Sequence, residues 1–314
     1  MFKSKLMKGK ISLGDAYRSA SPEDRQEYDR YGPWVLEVRS ELELPKAFRG
    51  AWPELREYSL LLKVPRREER RDLRPGMDLY RAVLGLGGAG CILLSLDEAG
   101  VQRQTVAWSQ VAAVRGYQNL LFGRWELLLA DGGAISVNYN TVSGRVMDQA
   151  TRVVRDHLPG DHAQAPAAGA AVTVEDHFFR AELMDLQDER QDAVTVLFDR
   201  PGRRVRNERG RRRLSTGAMV LDAGFELIIV DRAPVMRPRW SADYGHQRTF
   251  LPLAGIAGFT LSESTPPVGD PVHTLALEMG AQRLETRFLD DPAAVAGLLR
   301  KRGVQERRPV LVSV

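Results

Sequence analysis

The 314-residue chain is 43% hydrophobic and 27% charged, ordinary globular usage that excludes a disordered, collagen-like or membrane-bundle chain and leaves room for two domains. Its single cysteine, Cys91, rules out an internal disulfide or a cysteine-cluster metal site and fits a reducing compartment. Net charge is only +4, from 38 Arg and 7 Lys against 41 acids, so any charge argument rests on where the arginines are placed.

Residues 1–56 read as a helical and extended segment. Lys3, Lys5, Lys8 and Lys10 open it without the apolar run or cleavage site of a signal peptide. Ser21-Pro22-Glu23-Asp24 combines a cap, a first-position proline and first-turn acids, so a helix is expected to about Tyr31.

A first domain is expected over 57–158, with short strands at 58–64, 79–86, 91–96, 104–114, 126–130 and 134–139. Gly87-Gly88-Ala89-Gly90 and Asp131-Gly132-Gly133 are hairpin signals. Trp108, Trp125 and Tyr139 fall on strands and are assigned to the core. Cys91 is assigned there too, as an inert thiol. Val146, Met147, Ala150, Val153, Val154 and Leu158 share a helical stripe that Ser143 can cap and Pro159-Gly160 ends.

Residues 159–175, rich in Ala, Pro and Gly, read as an interdomain linker. A second domain is expected over 176–303. Its strands fall at 193–198, 218–221, 225–230, 249–259, 272–279 and 283–289. A helix opens at Asp291-Pro292, carries Val295, Leu298 and Leu299 on one face, and ends at Gly303. Residues 304–314 are a tail.

The order repeats. Leu62 and Leu79 flank a polar loop, as do Leu197 and Leu214, each pair 17 residues apart. Thr105-Val-Ala-Trp-Ser-Gln-Val-Ala-Ala-Val114 parallels Thr249-Phe-Leu-Pro-Leu-Ala-Gly-Ile-Ala-Gly-Phe259. A small antiparallel barrel closed by a C-terminal amphipathic helix resembles the pleckstrin-homology (PH) superfold, in particular the tandem PH-like domains of bacteria. The resemblance is carried by Gly217 to Asp231, Leu251 to Ile256, Ile92 to Asp97 and Ala107 to Val111. The expected fold class is therefore mainly β with α: two small PH-like barrels, each closed by its helix. Residues 233–247 and 262–270 depart from the pattern as loop insertions.

The sharpest motif lies between Arg200 and Arg213, where Arg200, Arg203, Arg204, Arg206, Arg209, Arg211, Arg212 and Arg213 meet one acid, Glu208. With Gly202 and Gly210 it is expected to be a mobile loop joining the first two strands of its copy. The resemblance implies an anion or partner site there. The matching loop of the first copy, 66–74, sets five arginines against three acids and largely neutralises itself. No aromatics interleave the arginines, which disfavours nucleic acid. Trp240, between Arg239 and Asp243, is a candidate exposed contact. The five histidines match no ligand spacing such as H-E-x-x-H. Gly85–Gly90 precedes a strand rather than a helix, and neither a Walker nor a Gly-x-Ser-x-Gly pattern occurs.

These readings point to a non-enzymatic binding or scaffolding protein with an unidentified protein partner. No catalytic residue, cofactor or metal is assigned, and a cytoplasmic location with membrane association as an option is expected. The alternatives are a peripheral membrane protein that grips anionic lipid or phosphate through 200–213, and an enzyme with an inter-domain site.

Overall fold

The computed structural model describes residues 12–88, 90–167, 173–190, 194–200, 203–206, 212–215, 217–232, 245–264, 272–288 and 290–308. Contacts divide the chain into two units, residues 1–88 with 92–104, and residues 89–91 with 105–314.

In the first unit, helices α1 (Leu13–Ser19) and α2 (Pro22–Arg30) each begin at a serine. Ser12 and Ser21 accept the backbone N–H of Asp15 and Asp24, each at 3.1 Å. These caps satisfy donors that the first helical turn leaves unpaired. Strand β1 (Leu36–Glu37), the short helix α3 (Trp52–Leu55) and strands β2 (Leu60–Pro65), β3 (Tyr80–Gly87), β4 (Gly90–Asp97) and β5 (Gly100–Ala107) follow. The five strands form one sheet in chain order. Val38, Leu44, Phe48 and Leu55 pack with Leu61, Val83, Ile92 and Leu94. The N-terminal segment therefore supplies the apolar cover without which one face of this sheet would be wet. In the β2–β3 connection the acids answer the arginines: Arg71 pairs with Glu69 at 2.7 Å and Arg66 with Glu68 at 3.5 Å.

The second unit holds β6 (Val111–Asn119), β7 (Phe122–Leu129), β8 (Ala134–Asn140), α4 (Gly144–His157) and α5 (His177–Arg190). It continues with β9 (Thr195–Arg200), β10 (Arg203–Arg206), β11 (Arg212–Ser215), β12 (Ala218–Asp222), β13 (Glu226–Asp231) and β14 (His246–Pro252). Then come β15 (Gly258–Ser264), β16 (Val272–Met279), β17 (Gln282–Phe288), α6 (Ala293–Lys301) and β18 (Gln305–Glu306). Three-residue 3-10 turns break the chain at Trp108–Gln110, between β5 and β6, and at Leu253–Gly255, between β14 and β15. These breaks fall where the two parallel motifs run into small residues. Each repeat thus gives a four-stranded meander, a 3-10 turn, a three-stranded meander and a helix.

The sheets are open, and this corrects the expectation of two closed barrels. Strand β6 of the first repeat bonds antiparallel to β14 of the second, from Val114 opposite Phe250 to Gln118 opposite His246. A single seven-stranded sheet results, ordered β8-β7-β6-β14-β13-β12-β9, beside the four-stranded β17-β16-β15-β18. The reason is edge satisfaction: unpaired N–H and C=O groups on β6 and β14 bond to each other. The 17-residue match is also corrected. Leu79 precedes β3, but Leu214 lies on β11, an added hairpin with β10, and the strand corresponding to β3 begins at Ala218.

One core cluster of the second unit is drawn from both sheets and α6, including Phe198, Leu227, Leu251, Phe259, Leu277, Val295, Leu298 and Leu299. On α4 the buried stripe is Met147, Ala150 and Val154, with Val146 and Val153 half-buried. Helix α6 begins at Ala293, one residue past the expected first-position proline. Residues 161–167 of the expected linker lie against the β12–β13 turn. Ala167 N–H donates to Asp222 at 2.7 Å, and Arg302 reaches the Ala165 carbonyl at 3.1 Å. Gly224, at φ +87°, permits this approach, because a Cβ there would stand 1.8 Å from the Gln164 carbonyl oxygen. Among the described residues no helix is long and apolar enough to cross a membrane.

Candidate binding cavity in the second unit

Alternation along antiparallel strands sets one face of the seven-stranded sheet. Gly116 of β6 stands opposite Arg248 of β14 on one side and Trp125 of β7 on the other. Gln118, Tyr139, His246 and Phe250 share that face. Helices α4 and α5 wall it, leaving a cavity of about 590 Å3. Gly116 is the gap in its floor: a Cβ there would meet nothing within 4 Å. Trp125 donates its indole N–H to Thr151 of α4 at 3.0 Å, which fixes the helix over the strand.

Helix α5 went unrecognised in the sequence, although its acids fall at helical spacing. Asp176 opens it, its side chain accepting the Phe178 N–H at 2.8 Å. Glu182, Asp185, Asp188 and Glu189 then line the cavity, joined by Asp148 of α4. Acids at i, i+3 and i+7 on one face are the signal that could have revealed it.

Five carboxylates therefore line the cavity around Arg248, and a second guanidinium, Arg155, reaches one of them, Glu189. Arg248 donates to Glu182 at 2.5 Å, to Asp185 at 3.3 Å and to Glu189 at 3.4 Å. Beneath it, Arg155 of α4 donates from Nε to both oxygens of Glu226, at 3.0 and 3.3 Å, and from Nη1 to Glu189 at 3.4 Å. The Arg155 guanidinium also lies 4.2 Å from the Phe250 ring centroid. Burial works against charge on Arg248, but the Glu182 hydrogen bond and the surrounding carboxylates outweigh it and raise its pKa. Burial raises the pKa of Asp148 and of Glu189, against the pull of Arg248. Burial pushes the Tyr139 phenol up to about 12, against a hydrogen bond from Gln118. The cavity is negative at its rim, where Asp185 and Asp188 are exposed, and aromatic at its floor.

The arginines singled out in the sequence lie elsewhere. Arg200 ends β9, is exposed, and pairs with Asp290 at 3.3 Å. Arg203, Arg204 and Arg206 sit on β10 and Arg212 and Arg213 on β11. These strands pair with Arg203 opposite Ser215 and Arg206 opposite Arg212, so the expected loop is a hairpin over those residues. Arg209, Arg211 and Trp240 lie outside the described residues. Trp108 and Tyr139 are buried as expected, as is Cys91. His157, at the end of α4, stacks on Trp108 with centroids 5.2 Å apart. Among the described residues no group of three or more His, Cys, Asp or Glu is placed to hold a metal ion.

No protein-family model matches the chain, and a search of curated proteins finds no match.

Proposed function

We propose that this chain is a non-enzymatic binding protein built from two PH-like repeats. Its cavity takes a cationic group, such as an arginine or lysine side chain of a protein partner. The observation that carries the reading is the excess of carboxylates over guanidinium around an open cavity. Arg248 is already engaged by Glu182, Asp185 and Glu189, which leaves Asp148 and the exposed Asp188 to receive a second cation. At about 590 Å3 the space matches ordinary ligand sites, which run roughly 300–1,000 Å3. The aromatic floor adds a face that attracts cations. The repeated order of four strands, three strands and a helix supports the PH-like assignment.

The test is calorimetric titration of the protein with an arginine-rich and a glutamate-rich peptide. The arginine peptide is expected to bind, more weakly in Asp148→Asn and Gly116→Val, the latter filling the floor. Its binding should also fade toward acid pH, because the raised pKa values of Asp148 and Glu189 cost these groups their charge first. Equal binding of both peptides, or variants that bind like the parent, would reject the reading.

A second reading, contact with an anionic surface, is favoured by one observation. Strands β9 and β12, which precede and follow the arginine-bearing β10–β11 hairpin in the chain, end side by side, Arg200 opposite Ala218.

A further inference from the structure

The register of the seven-stranded sheet brings two separate features to one end. Strand β9 finishes there at Arg200 and β12 starts there at Ala218, and between them runs the arginine hairpin. Strand β13 finishes beside them at Asp231, opposite Ala218, and β14 starts at His246, opposite Gln118 of β6. Strand β6 then turns into β7 at Leu120 and Leu121, and β8 finishes at Asn140 opposite Phe122. The same end of the sheet therefore carries the hairpin and the β6–β7 turn.

That turn is apolar where solvent exposure favours polar residues. Leu120 and Leu121 are each 68% exposed, Phe122 42%, and Val142, in the 3-10 turn after β8, 66%. They form one tip, because the Thr141 N–H donates to the Leu121 carbonyl at 3.2 Å and the Thr141 hydroxyl to the Leu120 carbonyl at 2.5 Å. Leu120 has φ +52°, alone among the described non-glycine residues in that region. Asparagine or glycine would hold such a turn more easily. Two exposed leucines in its place are unexplained by folding and point to a surface that covers them.

We propose that this end of the sheet docks on an anionic lipid bilayer, with Leu120, Leu121, Phe122 and Val142 entering the interface while the arginine hairpin engages headgroups. The proposal rests on the anionic-surface reading and is independent of the cavity. Two arguments select a bilayer. The apolar tip is a turn between adjacent strands, a projecting shape that suits insertion rather than a groove for a peptide. Charge complementarity comes from Arg203, Arg204, Arg206, Arg212 and Arg213 on the hairpin strands and from the exposed Arg145, three residues past Val142. At about 4.8 Å per strand, the ends of β9 and β12 that flank the hairpin in the chain stand roughly 15–25 Å from the tip along that edge of the sheet. Apolar insertion and basic attraction are the two signals that together hold a peripheral protein on a membrane.

Cys91 is 1% exposed, so Leu121→Cys creates a single labelling position for an environment-sensitive nitrobenzoxadiazole probe. The full-length labelled protein is mixed with vesicles of phosphatidylcholine alone or with phosphatidylserine. Unlabelled parent, Leu121→Ser, and Arg203→Gln/Arg204→Gln/Arg212→Gln/Arg213→Gln are co-sedimented with the same vesicles at low and physiological salt. The probe is expected to brighten and shift to the blue on anionic vesicles only. Leu121→Ser should bind about tenfold more weakly at unchanged thermal stability. The arginine variant should lose most of the salt-sensitive binding. Anionic binding by the parent with an unchanged probe and a parent-like Leu121→Ser overturns the insertion while leaving the anionic-surface reading intact. A parent that fails to sediment overturns both. A probe shift without vesicles that grows with protein concentration, together with a dimer in sedimentation velocity, overturns the lipid assignment in favour of a second copy of the chain.

Discussion

Arg155 of α4 and Glu226 of β13 form an ion pair from which water is almost wholly excluded, their side chains 2% and 0% exposed. The pair joins the closing helix of the first repeat to the first sheet of the second. Removing Glu226 leaves the buried Arg155 only its longer contact with Glu189, and removing Arg155 takes its guanidinium from the buried Glu226, each at a cost of about 3–5 kcal/mol. Arg155→Met and Glu226→Gln should each show a loss of that size in urea unfolding. The double replacement Arg155→Met/Glu226→Leu should recover most of it. A double variant as unstable as the sum of the singles would mean that the two residues act independently.

Leu120 tests whether the apolar tip exists for stability. A left-handed backbone costs a non-glycine residue about 1–2 kcal/mol, and glycine returns part of that gain as unfolded-chain entropy. Leu120→Gly should therefore raise stability by about 0.5–1 kcal/mol in thermal unfolding, since the side chain is 68% exposed and little packing is lost. A destabilised variant would assign the side chain a folding role.

Asp231 lies at the end of β13, and burial pushes its pKa up to about 6 despite Arg115 and a Gln247 hydrogen bond. The folded state then holds this proton more tightly than the unfolded chain. Its contribution to stability is greatest below the ordinary carboxylate pKa and is lost as pH rises through about 6. Asp231→Asn should be more stable than the parent near pH 7, by up to about 3 kcal/mol, and should flatten stability between pH 4 and 6. Denaturant midpoints across that range decide it, and an unchanged pH profile would assign the proton elsewhere.

Cys91 should resist alkylation in the native protein, since burial pushes its thiol up to about 12 and only the thiolate reacts. Reaction with iodoacetamide is expected only on unfolding, at a rate that follows denaturant concentration. Rapid modification in buffer would mean that β4 opens locally.

The helices, turns and most strands were legible because their signals are local. Ser21-Pro22 opens α2, and Asp131 and Asp222 turn their hairpins by accepting the N–H two residues on, each at 2.8 Å. Periodicity placed Leu298 and Leu299 in the core, and composition alone exposed the arginine run. Helix α5 escaped because its apolar stripe is interrupted: between the buried Phe179 and Leu186 it turns Glu182 inward, and a carboxylate there makes sense only once Arg248 stands opposite.

Strand pairing between repeats was beyond the sequence for a related reason. Hydrophobic alternation tells which face of β6 and β14 is buried, but backbone hydrogen bonds carry no side-chain code, so any exposed edge can answer another. Residue order thus determined the repeated list of elements and their local caps. Only the tertiary structure joined β6 to β14, and with that register came the bare Gly116 floor between Trp125 and Arg248 and the alignment of the Leu120 turn with the arginine hairpin along one end of the sheet.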